Sequence, residues 1–417
     1  MHFPIDTVRA AFPALAFTDD GRPRHYFDAP AGSQVAGRVI DAMRDAMLHA
    51  CANDGGAFRT SHAAGAIVDA SLAGAAAFYH CAPDEIVFGL NTTSLFFQFA
   101  GLLSRDWRAG DNILLTRMDH DANVSPWLQA AEAKGVAVRW LEWDRDSFEF
   151  RYETLGELVD GRTRLVAVGQ ASNFLGTLND VARVCAAARA VGAVSVVDAV
   201  QSAPHLAIDV AAIGCDLLSA SAYKFFGPHA AVLFVSRALQ ARMPVQKVRP
   251  SANVMPTRLA PGTPSFEAQA GCLAAFEHYA WLGEVAGGAA ADAPLRTRIV
   301  AGCEAIVAYE TDLMRQFLAG LATVKGVTLH GIGNANRLEA RVPTFTFTLA
   351  GHDSSAVAAA LAARNIFAWD GYYYAWEPAG VLGLRDGPGA VRVGLSHYNS
   401  AEEVDALVAA LAEIAGA

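Results

Sequence analysis

No run of about 18 consecutive apolar residues free of charge occurs in the 417-residue chain, so a membrane-spanning helix is not expected. Basic runs are missing as well. Lys plus Arg total 32 against 42 Asp plus Glu, a formal charge of −10, which argues against nucleic acid as a partner. The six cysteines, at 51, 81, 185, 215, 272 and 303, form no CxxC pair and share no His-rich spacing suited to zinc. A metal site is therefore not expected, and the thiols read as buried and reduced. No repeat at solenoid periods is present. The opening MHFPIDTVRAAFPAL places acid and base where a signal peptide carries its apolar centre. The chain reads as cytoplasmic.

What is present is a large hydrophobic fraction, 53%, drawn mainly from alanine, in a chain long enough to divide into two or more lobes. From about residue 65 to 235, small-residue helical runs alternate with short β-branched or apolar runs, the pattern of an α/β parallel sheet. Strands are expected at 85–89, 112–116, 165–169, 195–198, 217–219 and 231–235, with helices at 125–134 and 180–191 among those between them. The segment from 165 to 198 fits a βαβ unit. A Pro-rich stretch, 250–264, precedes a long helical region, 266–324, with a Gly/Ala-rich break near 283–292. Strand, helix, strand, an aromatic loop, strand (390–395) and a closing helix (401–415) then suggest a second, smaller α+β lobe.

Ligands of open α/β sheets collect outside the carboxyl ends of the strands, and the notable polar residues fall there. Lys224, in Ser219-Ala-Ser-Ala-Tyr-Lys-Phe-Phe-Gly-Pro228, follows a strand with no other Lys or Arg close in sequence. A neutral amine held beside an aldehyde is a covalent catalyst, although most turn lysines are merely solvated. Asp198 closes an apolar strand, where a carboxylate needs a partner: a protonated pyridine nitrogen, a metal, or the N–H groups of a following helix. Gln201 and His205 follow in the same turn. Asn91-Thr-Thr-Ser94 lies between strand and helix and suits either a simple cap or a phosphate. His120, in Met118-Asp-His-Asp-Ala-Asn123, could stack on a planar cofactor or be structural.

Taken together, the order of anion turn, His, Asn, Asp-x-x-Gln and Ser-x-x-Lys, from Asn91 to Lys224, resembles the class V aminotransferases of fold type I, especially cysteine desulfurases and their relatives. The resemblance runs from Tyr26-Phe-Asp-Ala-Pro-Ala-Gly32 to the closing helix. It implies an α/β fold with a mainly parallel, seven-stranded-type sheet in a large domain (26–290), a smaller α+β domain (291–417), and an N-terminal segment (1–25) packed with the latter. The implied cofactor is pyridoxal 5'-phosphate (PLP), with Lys224 as its Schiff-base lysine, Asp198 on the pyridine nitrogen, and Gln201 and Asn173 near the phenolic oxygen. His120 would stack on the ring, and Thr92, Thr93 and Ser221 would hold the phosphate. The turn Gly262-Thr263-Pro264 resembles the segment that reaches that phosphate from the second subunit of a homodimer. Arg392, in Val391-Arg-Val-Gly-Leu-Ser-His-Tyr-Asn399, matches the arginine that grips a substrate carboxylate through paired hydrogen bonds.

Two features depart from the family pattern. Desulfurases pass sulfur to a cysteine on a mobile loop of the small domain, whereas no cysteine follows Cys303 and the corresponding region reads Ala368-Trp-Asp-Gly-Tyr-Tyr-Tyr-Ala-Trp376. This aromatic stretch, Trp369 to Trp376, cannot carry a persulfide; it suits a substrate wall, a dimer contact or lobe packing. Tyr223 occupies the position before the lysine where many relatives have His, and it could still donate to phosphate. The resemblance thus implies a PLP-dependent lyase that cleaves a C–S or C–Se bond by α,β-elimination without a persulfide cysteine. Transamination and epimerisation use the same proton abstraction, and a non-catalytic scaffold would instead have lost Lys224 or Asp198.

Overall fold

The computed structural model describes residues 3–260 and 262–416; Met1 and His2 of the N-terminal segment, residue 261 of the Pro-rich stretch and Ala417 lie outside the described residues. Seven strands build the larger sheet: β1 (Ile86–Gly89), β2 (Asn112–Thr116), β3 (Ala137–Leu141), β4 (Thr163–Gly169), β5 (Val194–Asp198), β6 (Leu217–Ser221) and β7 (Ala231–Val235). Their order across the sheet is β1-β7-β6-β5-β4-β2-β3. Only β7 runs against its neighbours, pairing antiparallel with β1 and β6, while β6, β5, β4, β2 and β3 are mutually parallel. The expected mainly parallel sheet is therefore observed, with one reversed strand inside it.

Both faces are covered, which is why these strands read as nearly continuous apolar runs. Ile113 and Leu115 face the cluster that holds Phe96, Phe99 and Trp127, whereas Leu114 faces the one that holds Phe78, Phe276 and Tyr279. Each such buried side chain contributes roughly 1.5 to 3 kcal/mol. A second sheet of four antiparallel strands, β8 (Val327–His330), β9 (Thr344–Leu349), β10 (Trp369–Gly371) and β11 (Ala390–Gly394), has the order β8-β9-β11-β10. Its core joins Phe345, Phe347, Val391 and Val393 to Phe317, Leu407 and Leu411 of the flanking helices.

Three expectations need correction. The helical break begins later than Gly283: one helix spans Phe266–Val285 and the next Leu295–Leu321. Gly283 serves close approach instead, since a Cβ there would sit 2.0 Å from the Arg298 carbonyl oxygen of the second helix. Edge strand β3 lies outside the expected strands, because Arg139 and Trp140 interrupt its apolar run and only Leu141 is buried. Among the cysteines, all free, Cys51 is exposed and Cys81 half-buried rather than interior. No helix among the described residues is long and apolar enough to cross a membrane.

Candidate active site

The carboxyl ends of β1, β2, β4, β5 and β6 open onto one edge of the sheet, and the turns that follow them line a single pocket. Thr92, Thr93, His120, Asn173, Asp198, Gln201, Ser221, Tyr223 and Lys224 all border it. Lys224 ends the short 3-10 turn Ala222–Lys224 directly after β6 and is only 8% exposed. Its Nζ donates to the Pro30 carbonyl oxygen at 2.7 Å, and Gln201 Nε2 donates to the same oxygen at 2.8 Å. Burial, then the nearby Arg392 guanidinium, push the amine down to about 7 against the opposing pull of Asp198. Much of it is therefore neutral near pH 7, the form a nucleophile or base requires.

Asp198 is buried, and its Oδ1 accepts the Val200 N–H at 2.8 Å. Burial raises the carboxyl to about 6, with the Val200 bond and Lys224 pulling the other way. His120 accepts the Ala122 N–H on Nδ1 at 3.0 Å, which leaves its hydrogen on Nε2. Burial and the cations Lys224 and Arg392 push this imidazole down to about 3, so the ring is neutral.

At the β1 end, the Asn91 side chain caps the helix Thr92–Leu103 by accepting the Ser94 N–H at 2.8 Å. The Thr92 N–H donates to Ser221 Oγ at 3.1 Å, and its hydroxyl shares a 2.9 Å bond with Ser219, so Thr92 is locked in place while Thr93 is exposed. Tyr223 stacks on His229 with ring centres 4.9 Å apart.

Arg392, on β11, reaches the same place from the second sheet. It is 4% exposed, donates from Nη1 to the Asn173 carbonyl at 3.1 Å, and lies 4.2 Å from the centre of the Tyr373 ring. Its Nε has no partner, and among the described residues no carboxylate lies within 4.0 Å of it. A buried guanidinium so placed is an incompletely compensated charge, and an anionic ligand would offset its desolvation. Asn173 donates from Nδ2 to the Tyr373 carbonyl at 2.9 Å, while its Oδ1 is buried without a partner. Such orphaned groups are what a polar ligand satisfies.

Some site residues carry little sequence signal. Asp119 borders the pocket, accepts the Gly169 N–H at 2.9 Å and the Asn123 amide at 2.7 Å, and is raised by burial to about 7. Its place at the end of a strand, one residue before His120, was the available clue. The Pro30 carbonyl offered none, being backbone. Tyr373 and Tyr374 take left-handed φ values of 54° and 57°, a strain of about 1 to 3 kcal/mol each for bulky residues. Two residues singled out in the sequence lie outside this pocket, of which Thr263 is the one expected to serve a partner subunit's site. Thr263 is exposed on a groove with Gly89, Ser94, Gln98 and His229, outside its own chain's pocket. His205 is bound to Glu310 at 2.8 Å, away from the pocket.

An amine able to be neutral, a strand-end carboxylate, a flat neutral imidazole, a hydroxyl-rich helix start and a free guanidinium together suit a planar aldehyde cofactor with an anionic tail and an amino-acid substrate.

Comparison with known proteins agrees. A family model described as aminotransferase class-V matches residues 25–407. The chain is 35% identical over 421 residues to a cysteine desulfurase of Dickeya dadantii, covering 99% of this chain and 97% of that protein. It is 32% identical over 421 residues to the aminotransferase-like protein FGM3 of Gibberella zeae, covering 98% of each. Among solved structures, an apo cysteine desulfurase from Thermococcus onnurineus superposes with a TM-score of 0.86 at 26% identity, over 100% of this chain and 99% of that one. A cysteine desulfurase from Escherichia coli gives 0.81 at 26% identity, over 99% and 98%.

Proposed function

The chain belongs to the aminotransferase class-V family of fold type I, PLP-dependent enzymes, and from that premise we propose that it is a lyase releasing a sulfur or selenium group from Cβ of an amino acid. Elimination at Cβ is preferred on the likeness to cysteine desulfurases, and the observation that argues against a persulfide relay is the aromatic segment at Tyr372–Tyr374. By the family resemblance it corresponds to the mobile cysteine loop of desulfurases; it holds no thiol, and its carbonyls accept from the Asn173 side-chain amide and the Asp121 N–H. Sulfur released beside it goes to solvent as a thiol or sulfide.

In this reading Lys224 would hold PLP, Asp198 would pair with its ring nitrogen, His120 would lie against its ring, and Asn173 and Gln201 would serve its phenolic oxygen. Thr92, Thr93, Ser221 and Tyr223 would hold its phosphate, joined by Thr263 of the partner subunit of a homodimer. When bound, PLP supplies a carbonyl that condenses with amines and a ring that draws electron density from Cα. Arg392 grips the substrate carboxylate through its open side, setting the Cα–H bond toward Lys224. Lys224 Nζ, neutral near pH 7, takes the Cα proton and passes it to the leaving sulfur. Asp198 stays ionised once a cation faces it, since an opposite charge lowers a carboxyl that burial has raised. For an S-substituted cysteine the sum is substrate plus water giving thiol, pyruvate and ammonium.

The test is incubation of the purified holoenzyme with cysteine, S-substituted cysteines and alanine. Equal amounts of thiol and keto acid are expected, with loss of both in Lys224→Ala. Keto acid formed only when a second keto acid is supplied would instead establish transamination, and inversion without keto acid an epimerase. Sedimentation should show a dimer, and a fully active monomer would remove Thr263 from the site.

A further inference from the structure

Tyr373 and Tyr374 are two consecutive bulky residues in left-handed backbone, at φ 54° and 57°, and the surroundings hold both there. Asp121 N–H donates to the Tyr374 carbonyl at 2.8 Å, Asn173 Nδ2 to the Tyr373 carbonyl at 2.9 Å, and the Tyr373 hydroxyl to the Ala390 carbonyl. Just beyond, Glu377 forms an ion pair with Arg117. The strain has two results. The Tyr373 ring lies 4.2 Å from the Arg392 guanidinium, and the Tyr374 ring stands 5.7 Å from the His120 ring, tilted 36° to it and 72% exposed.

Packing explains Tyr373 but not Tyr374. Strained backbone held by several tertiary bonds marks a side chain that is needed in one place. That place is next to a ring bordering the pocket and on the segment that contacts the carboxylate-binding arginine. Of the other rings of the stretch, Trp376 is covered by Arg385 at 4.4 Å and Tyr372 meets Trp376 at 5.9 Å, while Trp369, 50% exposed, belongs to strand β10 rather than to the turn that carries Tyr374. Charge recognition is also spent, because Arg117 is occupied by Glu377, Glu142 and the Trp140 ring. What Tyr374 presents toward solvent is an open π-face.

We infer that Tyr374 is the wall of a side-chain subsite that selects substrates carrying a planar aromatic substituent beyond Cβ, such as an S-benzyl cysteine. The leaving-group part of this assignment rests on the lyase reading above; the aromatic preference does not. A substrate anchored by its carboxylate on Arg392 would extend its side chain past His120 and lay its ring on Tyr374 in an offset or edge-on stack.

The test compares kcat/KM for S-benzyl-L-cysteine and S-methyl-L-cysteine, which both expel an alkanethiolate and differ in carrying a ring, by thiol release from the holoenzyme. The expected preference contributed by the ring is about two- to tenfold; it should be lost in Tyr374→Ala and persist in Tyr374→Phe. Tyr374→Asn, a residue tolerant of left-handed backbone, should lose it too, which separates the ring from the strain. In parallel, calorimetric titration of the same holoenzymes with L-phenylalanine and L-alanine reads the preference without any bond cleavage. If no substrate yields thiol, the lyase reading falls, and the titration alone then decides the aromatic wall. A parent enzyme without aromatic preference, or a preference that survives Tyr374→Ala, overturns the inference. So does a Tyr374→Ala protein that keeps the preference but sediments as a monomer, since the ring then serves contact between copies.

Discussion

Replacing Lys224 by methionine should stabilise the cofactor-free protein, and most strongly at low pH. The amine is buried and pushed from an ordinary 10.5 to about 7. A base whose folded value lies below its unfolded one binds fewer protons when folded, so its charge opposes folding fully below about 7, and the opposition fades as pH climbs toward 10.5. At about 1.4 kcal/mol for each factor of ten, this amounts to about 4 kcal/mol at pH 7 and about 2 kcal/mol at pH 9. Methionine keeps the apolar stem and removes the charge, but gives up the 2.7 Å bond to the Pro30 carbonyl, worth about 1.5 kcal/mol, while Gln201 still satisfies that oxygen at 2.8 Å. The net gain is then about 2 to 3 kcal/mol at pH 7 and close to zero by about pH 9. Urea denaturation of both cofactor-free proteins across this range measures it. Lysines number only four, at 134, 224, 247 and 325, so NMR of lysine labelled at Cε can follow the Lys224 titration directly. A variant less stable than its parent, or a difference that does not change with pH, would refute the assignment of Lys224 as a buried amine.

Two further outcomes follow from named contacts. Arg392→Lys keeps the charge but loses the fork that grips a carboxylate and the stack on Tyr373; about 1.5 to 3 kcal/mol of binding should disappear, a ten- to hundredfold fall in kcat/KM carried mainly by KM. Steady-state kinetics with any accepted substrate checks this, and an unchanged KM would remove Arg392 from carboxylate recognition. Gly394→Ala places a Cβ 2.2 Å from Cγ and Cδ of Pro30, which must move and take with it the carbonyl that holds Lys224 and Gln201. We expect about 1 to 3 kcal/mol of destabilisation and a shifted visible absorption of the bound cofactor; thermal unfolding and the spectrum read both, and no change in either would mean that β11 gives way instead of Pro30.

Much of this architecture was legible because buried parallel strands leave a simple trace. Leu165, Val166, Ala167 and Val168 have no room for polar residues on either face, so strand β4 reads as an apolar run with Gly169 at its end. The polar residues that do occur at such ends, Asp198 and Lys224, are conspicuous for the same physical reason. Edge strand β3 was harder, since one side of it meets solvent and tolerates Arg139. Least legible were the contributions made by tertiary closure. Nothing local to Pro30 announces that its carbonyl will accept from Lys224, and nothing local to Tyr373 announces that it will lie against Arg392. Thr263 illustrates a different limit, because its expected role belongs to an assembly rather than to one chain.

The pairing of residues near His25 with residues far along the chain has a consequence in time. His25 and Tyr26 pair with Ile366 and Phe367, Phe27 accepts from Gly394, and Pro30 receives Lys224. During synthesis at about 5 to 20 residues per second, the segment that begins the pocket waits roughly 20 to 70 s for the strand that closes it. Until then the Arg392 side of the site does not exist, whereas the turns after β1, β2, β4, β5 and β6 are already made. The residues that border the pocket from the larger sheet thus leave the ribosome well before Arg392, so the two sides of the site are made at separate times.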